Sequence, residues 1–342
     1  MAERLLEVND LKVRFATEDG IVRAVEGISL ELDRGKVLGI VGESGSGKSV
    51  TAMTLMGLTR GVNAAFEGEV LYKGTDLLKV SDGGMQNFRG NELGMIFQDP
   101  MTSLNPVYRI GEQIVEAIQA HENVDKRTAR SRTVELLRQV GIPNPETRVD
   151  SFPHEFSGGM RQRAMIAMAL SCNPSILIAD EPTTALDVTI QAQIVELISR
   201  LKDDFDSAVI FITHDLGVIA DIADEIIVMY AGRVVERGSK RDVFYDPQMP
   251  YTWGLLGSIP RLDRPRPERL HTIEGMPPSL INPPQGCKFR PRCPHAFEKC
   301  KEEPALENRV GTPGHLDRCW LDLEFKRGHR DKTIAGGSVE AA

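Results

Sequence analysis

At the start of the chain, apolar and polar positions alternate in the two-residue rhythm of half-buried strands. Leu6, Val8, Leu11, Val13 and Phe15 alternate imperfectly, and Ile28, Leu30 and Leu32 alternate strictly around Ser29 and Glu31. After the turn Asp33-Arg34-Gly35 the rhythm changes to short runs that are apolar nearly throughout. These are Val37 to Val41, interrupted by Gly39, then Leu93 to Phe97, Ile176 to Ala179 and Ala208 to Thr213. Strands buried on both faces of a parallel sheet read this way, and the helical patterns between them predict a doubly wound α/β core. Ile226 to Tyr230, the turn Ala231-Gly232 and Arg233 to Glu236 predict a closing hairpin.

Between residues 108 and 140 the period is helical: Ile110, Ile114, Val115 and Ile118, then Val134, Leu137 and Val140, with charges between them. This predicts a helical insertion into the α/β core, closed by Pro143, Pro145 and Pro153. Beyond about residue 240 the composition shifts, and residues 260 to 284 hold seven prolines, as an extended connector does. The predicted division is a core of residues 1–97 and 167–240, a helical part 98–166, a Pro-rich connector 241–285, an appendage 286–322 and a flexible tail 323–342.

At 342 residues, 41% of them hydrophobic and 26% charged, the chain can bury a sizeable core, which excludes a disordered, collagen-like or disulfide-dense protein. It has no apolar run of about 18 residues, so no membrane span is expected. Met1-Ala2-Glu3-Arg4 does not begin a secretory signal, so the expected compartment is a reducing one. A net charge of −8 argues against nucleic acid as the partner.

Gly42-Glu43-Ser44-Gly45-Ser46-Gly47-Lys48-Ser49 follows a buried strand and opens a helix, and it fits G-x-x-x-x-G-K-[ST] at every fixed position. Its glycines let backbone N–H groups turn inward around a phosphate, and the helix start favours the same anion. Lys48 is then expected on the β- and γ-phosphates of ATP and Ser49 on Mg²⁺. Asp180 and Glu181 emerge at the carboxyl end of the Ile176 run, where α/β sheets bind ligands. Asp180 is the expected magnesium carboxylate, and Glu181 the residue that positions or deprotonates the attacking water.

Ser157-Gly158-Gly159-Met160-Arg161-Gln162-Arg163 lies between these two motifs and resembles the signature of ATP-binding cassette (ABC) ATPases. Gln98, Asp187 and His214 match further family positions in the right order, and the resemblance covers about residues 5 to 240. It implies a P-loop NTPase (RecA-like) core with an antiparallel β subdomain. Two subunits would sandwich two ATP molecules, with Ser157, Gly158 and Gly159 of one covering the γ-phosphate held by the other and Asp187 at the interface. Gln98 would sense magnesium and the γ-phosphate, His214 would hold the phosphate and the water with Glu181, and Phe15 would stack on adenine. Phe156 and Met160 depart from the commoner Leu and Gln of the signature.

Met95-Ile96-Phe97-Gln98-Asp99-Pro100-Met101-Thr102-Ser103-Leu104-Asn105-Pro106, the run from Asp180 to Thr189 and the tail motifs Pro250-Tyr251-Thr252, Gly286-Cys287 and Pro291-Arg292-Cys293-Pro294 resemble the ATPase subunits of bacterial oligopeptide and dipeptide importers. That resemblance implies two permease partners, a second ATPase subunit of the same or a related kind, an external binding protein, and a place on the cytoplasmic face of the inner membrane. Nickel or another small solute remains an alternative cargo. A DNA-repair or translation ATPase is disfavoured by the short, single-cassette layout and the acidic balance.

Of the five cysteines, Cys172 stands alone, while Cys287, Cys293, Cys300 and Cys319 cluster in the tail. Clustered thiolates suit a tetrahedral zinc or a 4Fe-4S cluster. The importer resemblance favours the 4Fe-4S cluster, with zinc as runner-up and free thiols also open. Replacing Cys287 by Ser is expected to loosen the tail and leave the ATP site formed.

Overall fold

The strand rhythm at the start of the chain builds one long antiparallel ribbon. Arg4–Thr17 (β1) pairs with Gly20–Asp33 (β2), setting Val13 opposite Val25 and Leu11 opposite Ile28. The following strand, Val37–Val41 (β3), leaves this sheet for the second one, whereas Ala64–Tyr72 (β4) and Thr75–Asp76 (β5) complete the first in the order β2-β1-β4-β5. The sequence pattern did not predict β4, because only Val70 and Tyr72 of its residues are buried and its middle is Phe66-Glu67-Gly68-Glu69. This computed structural model describes residues 3–184, 186–259 and 272–334.

The second sheet holds β3 with Leu93–Ile96 (β6), Ile176–Asp180 (β7), Ala208–Thr213 (β8), Glu225–Tyr230 (β9), Arg233–Ser239 (β10) and Leu316–Asp317 (β11). Its order is β11-β10-β9-β3-β8-β7-β6. The five strands from β9 to β6 are parallel, and β10 and β11 are antiparallel. The unbroken apolar runs follow from what covers each face. Val37 and Val41 of β3 enter one core with the helices, and Leu38 and Ile40 enter a second core shared with the β1–β2 ribbon. Val209 and Phe211 of β8 face the first core, and Ile210 and Ile212 the second. Each such side chain contributes about 1.5–3 kcal/mol on burial. Gly39, which interrupts the β3 run, lies under helix Leu216–Ile222, where a Cβ would come within 2.9 Å of Ile219.

In chain order the helices are α1 (Lys48–Leu55), α2 (Asp82–Met85), α3 (Pro100–Ser103), α4 (Ile110–His121), α5 (Lys126–Gln139), α6 (Pro145–Arg148), α7 (Gly158–Ala169), α8 (Val188–Phe205), α9 (Leu216–Ile222), α10 (Lys240–Tyr245), α11 (Pro250–Gly257) and α12 (Leu323–Ile334). The insertion predicted from residue 108 is α4 and α5, whose Ile110, Ile114, Ile118 and Leu137 are buried in the first core.

The tail differs from expectation. Residues 323–342 were expected to be flexible throughout, yet Leu323–Ile334 is helical and packs on α11. An ion pair orders it: Lys326 Nζ lies 2.8 Å from Asp317 Oδ1, with the two side chains 1% and 0% exposed. A buried pair of this kind leaves no apolar period to read. Residues 335–342 and 260–271 of the predicted tail and connector lie outside the described residues.

Candidate functional site

The loop between β3 and α1 takes its shape from its glycines. At Gly42 (φ +154°) a Cβ would stand 2.2 Å from the Met229 carbonyl oxygen, and at Gly47 (φ +102°) 2.4 Å from that of Ala24. Only glycine fits either position, and the fit seats the loop against β9 and β2. Lys48 Nζ donates to the carbonyls of Gly42 (2.7 Å) and Glu43 (3.0 Å), with its side chain 4% exposed. Burial pushes its pKa down, opposed by the Glu181, Asp180 and Glu43 charges. An ammonium ion buried among carbonyls and carboxylates is poised for an anion such as a phosphate.

Ser49 Oγ donates to Asp180 Oδ1 at 3.0 Å, so the two expected magnesium residues adjoin at the carboxyl end of β7. Burial pushes the Asp180 carboxyl up, against the Ser49 hydrogen bond. A buried carboxylate and a hydroxyl form the hard oxygen set that Mg²⁺ takes.

Glu181 has φ +48°, a left-handed conformation uncommon for a residue other than glycine and concentrated at functional sites. Its N–H still bonds the Ile212 carbonyl, so the side chain is swung out at the sheet edge. There Oε2 receives Thr184 Oγ1 (2.8 Å) and Gln98 Nε2 (3.3 Å) and meets His214 Nδ1 (3.2 Å). Oε1 lies 3.9 Å from Lys48 Nζ. The fold thus gathers Gln98, Glu181 and His214 from three strand ends beside the Lys48 loop. Thr184 was not singled out in the sequence. The turn created at Glu181 brings it back onto the carboxylate.

The other expected residues lie apart. Ser157 caps α7 by accepting the Met160 N–H at 3.3 Å, worth about 1 kcal/mol to the helix. Gly158 and Gly159 form its first turn, whose N–H groups lack intrahelical acceptors. Among the described residues, no hydrogen bond joins Ser157, Gly158 or Gly159 to the 42–49 loop. Phe156, the departure from Leu, is buried in the first core. Asp187 is exposed and caps α8 through the Ile190 N–H (2.9 Å). Phe15 is half-buried on β1, opposite Val22 and Ala64.

Cys287, Cys293, Cys300 and Cys319 are free thiols in one appendage, and the Cys287 N–H donates to the Cys300 carbonyl at 3.0 Å. Burial, together with the charge of neighbouring sulfurs, pushes the Cys287 and Cys293 thiols up and that of Cys319 to about 12. Backbone N–H groups of Phe289, His295 and Leu321 point at the sulfurs of Cys287, Cys293 and Cys319, a second shell that suits thiolates. Among the described residues, no group of three or more His, Cys, Asp or Glu side chains could hold a single metal ion, so the zinc expectation gains no support.

The expected independence of tail and loop fails. Arg292, next to Cys293, pairs with the loop residue Glu43 through two hydrogen bonds, at 2.6 and 3.0 Å, and the Glu43 N–H donates to Tyr251 OH of α11 at 2.8 Å. The motif reading of Glu43 as a variable loop position carried no sign of these partners.

Residues 25–184 match the model of the ABC transporter family, and residues 235–300 match that of the oligopeptide/dipeptide transporter C-terminal region. The oligopeptide transport ATP-binding protein OppD of Bacillus subtilis is 54% identical over 93% of this chain and 89% of its own length. The chain belongs to the ATP-binding subunits of oligopeptide and dipeptide ABC transporters. The family also includes the dipeptide transport ATP-binding protein DppD of Bacillus subtilis, 50% identical over 93% of this chain and 95% of its own. Its ABC ATPases hydrolyse ATP to drive peptide transport, and the cassette fold is shared more widely. The ATP-binding cassette MJ0796, solved as a dimer in a post-hydrolysis state with ADP and Pi, superposes with a TM-score of 0.63 at 26% identity, over 69% of this chain and 99% of its own. Among the described residues, no helix is long and apolar enough to cross a membrane.

Proposed function

We propose that this chain powers uptake of dipeptides or oligopeptides by closing with a second ATPase subunit around two ATP molecules, on the cytoplasmic side of two permeases. The observation that carries the reading is the Glu181 carboxylate, held by Thr184, Gln98 and His214 beside the Lys48 ammonium. In this reading Lys48 binds the β- and γ-phosphates, with Glu43, Ser44, Gly45, Ser46 and Gly47 forming the loop. Ser49 and Asp180 hold Mg²⁺, which neutralises charge on the transferred phosphoryl group when bound. Glu181 orients the attacking water and takes its proton, and His214 and Gln98 fix that carboxylate and reach the γ-phosphate side. Phe15 offers a ring face to adenine.

The separation of Ser157, Gly158 and Gly159 from the 42–49 loop supports their acting on the partner's nucleotide, with Asp187 at the same interface. Close to Gln98, the exposed Phe97, Met101, Val107 and Tyr108 give an apolar surface for permease contact. That contact would keep a chain without a spanning helix at the membrane. The four cysteines take a 4Fe-4S cluster in this reading, since a cluster spreads its thiolates further apart than a single ion does.

The test is Glu181→Gln in the full chain. It keeps the shape and the Thr184 contact but cannot take a proton. We expect ATP affinity near wild type and turnover lowered by at least about 100-fold. Turnover within twofold of wild type overturns the role of Glu181.

A further inference from the structure

We infer that Arg292 is a positioning residue for ATP, holding the phosphate loop open from the cysteine appendage through Glu43. This inference rests on the ATP-site reading above. Glu43 is the second residue of the loop, and its carboxylate stands at the rim of a site for a triphosphate. A free carboxylate there would repel the nucleotide and could fold over the Lys48 ammonium. Arg292 prevents both by taking both carboxylate oxygens at once, at 2.6 and 3.0 Å.

The hold is stiff because the guanidinium has no spare donor. Besides Glu43, it gives Nε to the Glu274 carbonyl (2.9 Å), Nη2 to the Ile273 carbonyl (3.1 Å) and Nη1 to Tyr230 OH (3.4 Å), using all its N–H groups. Its side chain is 4% exposed. Tyr230, Tyr251 and Phe289 pack ring against ring behind it, with centroids 4.6 to 5.4 Å apart. Tyr251 adds a second grip, since its hydroxyl accepts the Glu43 N–H and so removes that amide from the donors facing phosphate. The 288–292 segment lies between Cys287 and Cys293, so whatever orders those cysteines also sets the loop. A lysine could not reproduce this, because it lacks the planar fork.

ATP hydrolysis and nucleotide binding by the full chain test the inference. Arg292→Met should raise KM and the ATP Kd about tenfold, or about 1.4 kcal/mol, with kcat within twofold, because Glu181, Gln98 and His214 are untouched. Arg292→Lys should fall between Met and wild type, and the charge swap Glu43→Arg with Arg292→Glu should recover affinity lost by Arg292→Glu alone. A wild-type KM in Arg292→Met overturns the inference, as does a loss that neither Lys nor the swap recovers. If melting shows that the Arg292 variants are unfolded, Glu43→Gln carries the test, since the appendage keeps its own carbonyl contacts: a raised KM supports the inference and an unchanged one overturns it. A wild-type chain that hydrolyses no ATP would instead overturn the ATPase reading. A working wild type indifferent to Arg292 and Glu43 overturns this inference alone.

Discussion

Asp180 and Glu181 are neighbours in sequence, yet their surroundings set them different tasks. Asp180 is buried and touches only the Ser49 hydroxyl, whereas Glu181 turns left-handed into a ring of donors. Burial raises the pKa of Asp180, so the carboxylate that magnesium needs is lost as pH falls through a value above the ordinary carboxylate range. We therefore expect the Mg²⁺ concentration for half-maximal ATPase to rise on mild acidification, before exposed carboxylates titrate. A magnesium requirement unchanged down to the ordinary carboxylate range would remove Asp180 from that role. Lys48, Ser49, Asp180, Gln98 and His214 were legible because each lies in a motif whose chemistry is local or at the end of an apolar run. Thr184 and Arg292 were not legible. The first depends on one backbone angle at Glu181, and the second meets Glu43 from 249 positions away along the chain.

At the scale of elements, legibility followed the driving force. β3, β7 and β8 are held by apolar burial on two faces, and their sequences display it. β4 is held by ladder hydrogen bonds to β1 beneath a largely polar surface, and α12 by the Lys326–Asp317 pair, so neither displays a period. The cysteine appendage belongs with them, as its order comes from carbonyl and thiol contacts. Protein purified without oxygen should be brown, with iron and acid-labile sulfide in stoichiometric amounts. Colourless protein with four titratable tail thiols and no iron would end the cluster reading, and zinc in place of iron would replace it.

For the whole molecule, the two anion-binding ends, the 42–49 loop and the start of α7, lie on one chain without a hydrogen bond between them among the described residues. A composite site between two subunits uses both. Ser157→Arg, placed in the Glu181→Gln background, should leave ATP binding by the single chain near wild type and abolish ATP-dependent dimers seen by light scattering. It should also suppress turnover when Glu181 is restored. Wild-type turnover by Ser157→Arg would show that one chain suffices.

The appendage has a second effect, at the far end of the large sheet. β11 is only Leu316–Asp317, yet it lies along the outer side of β10, pairing with Arg237 and Glu236, and the Arg318 N–H adds a bond to the Val235 carbonyl. Without that short cover, β10 would present a row of unmated amides and carbonyls, the template on which sheets of separate molecules join. A chain ending before Leu316 therefore loses more than its cysteines: it becomes sticky along one side, and its failure in solution would be clumping.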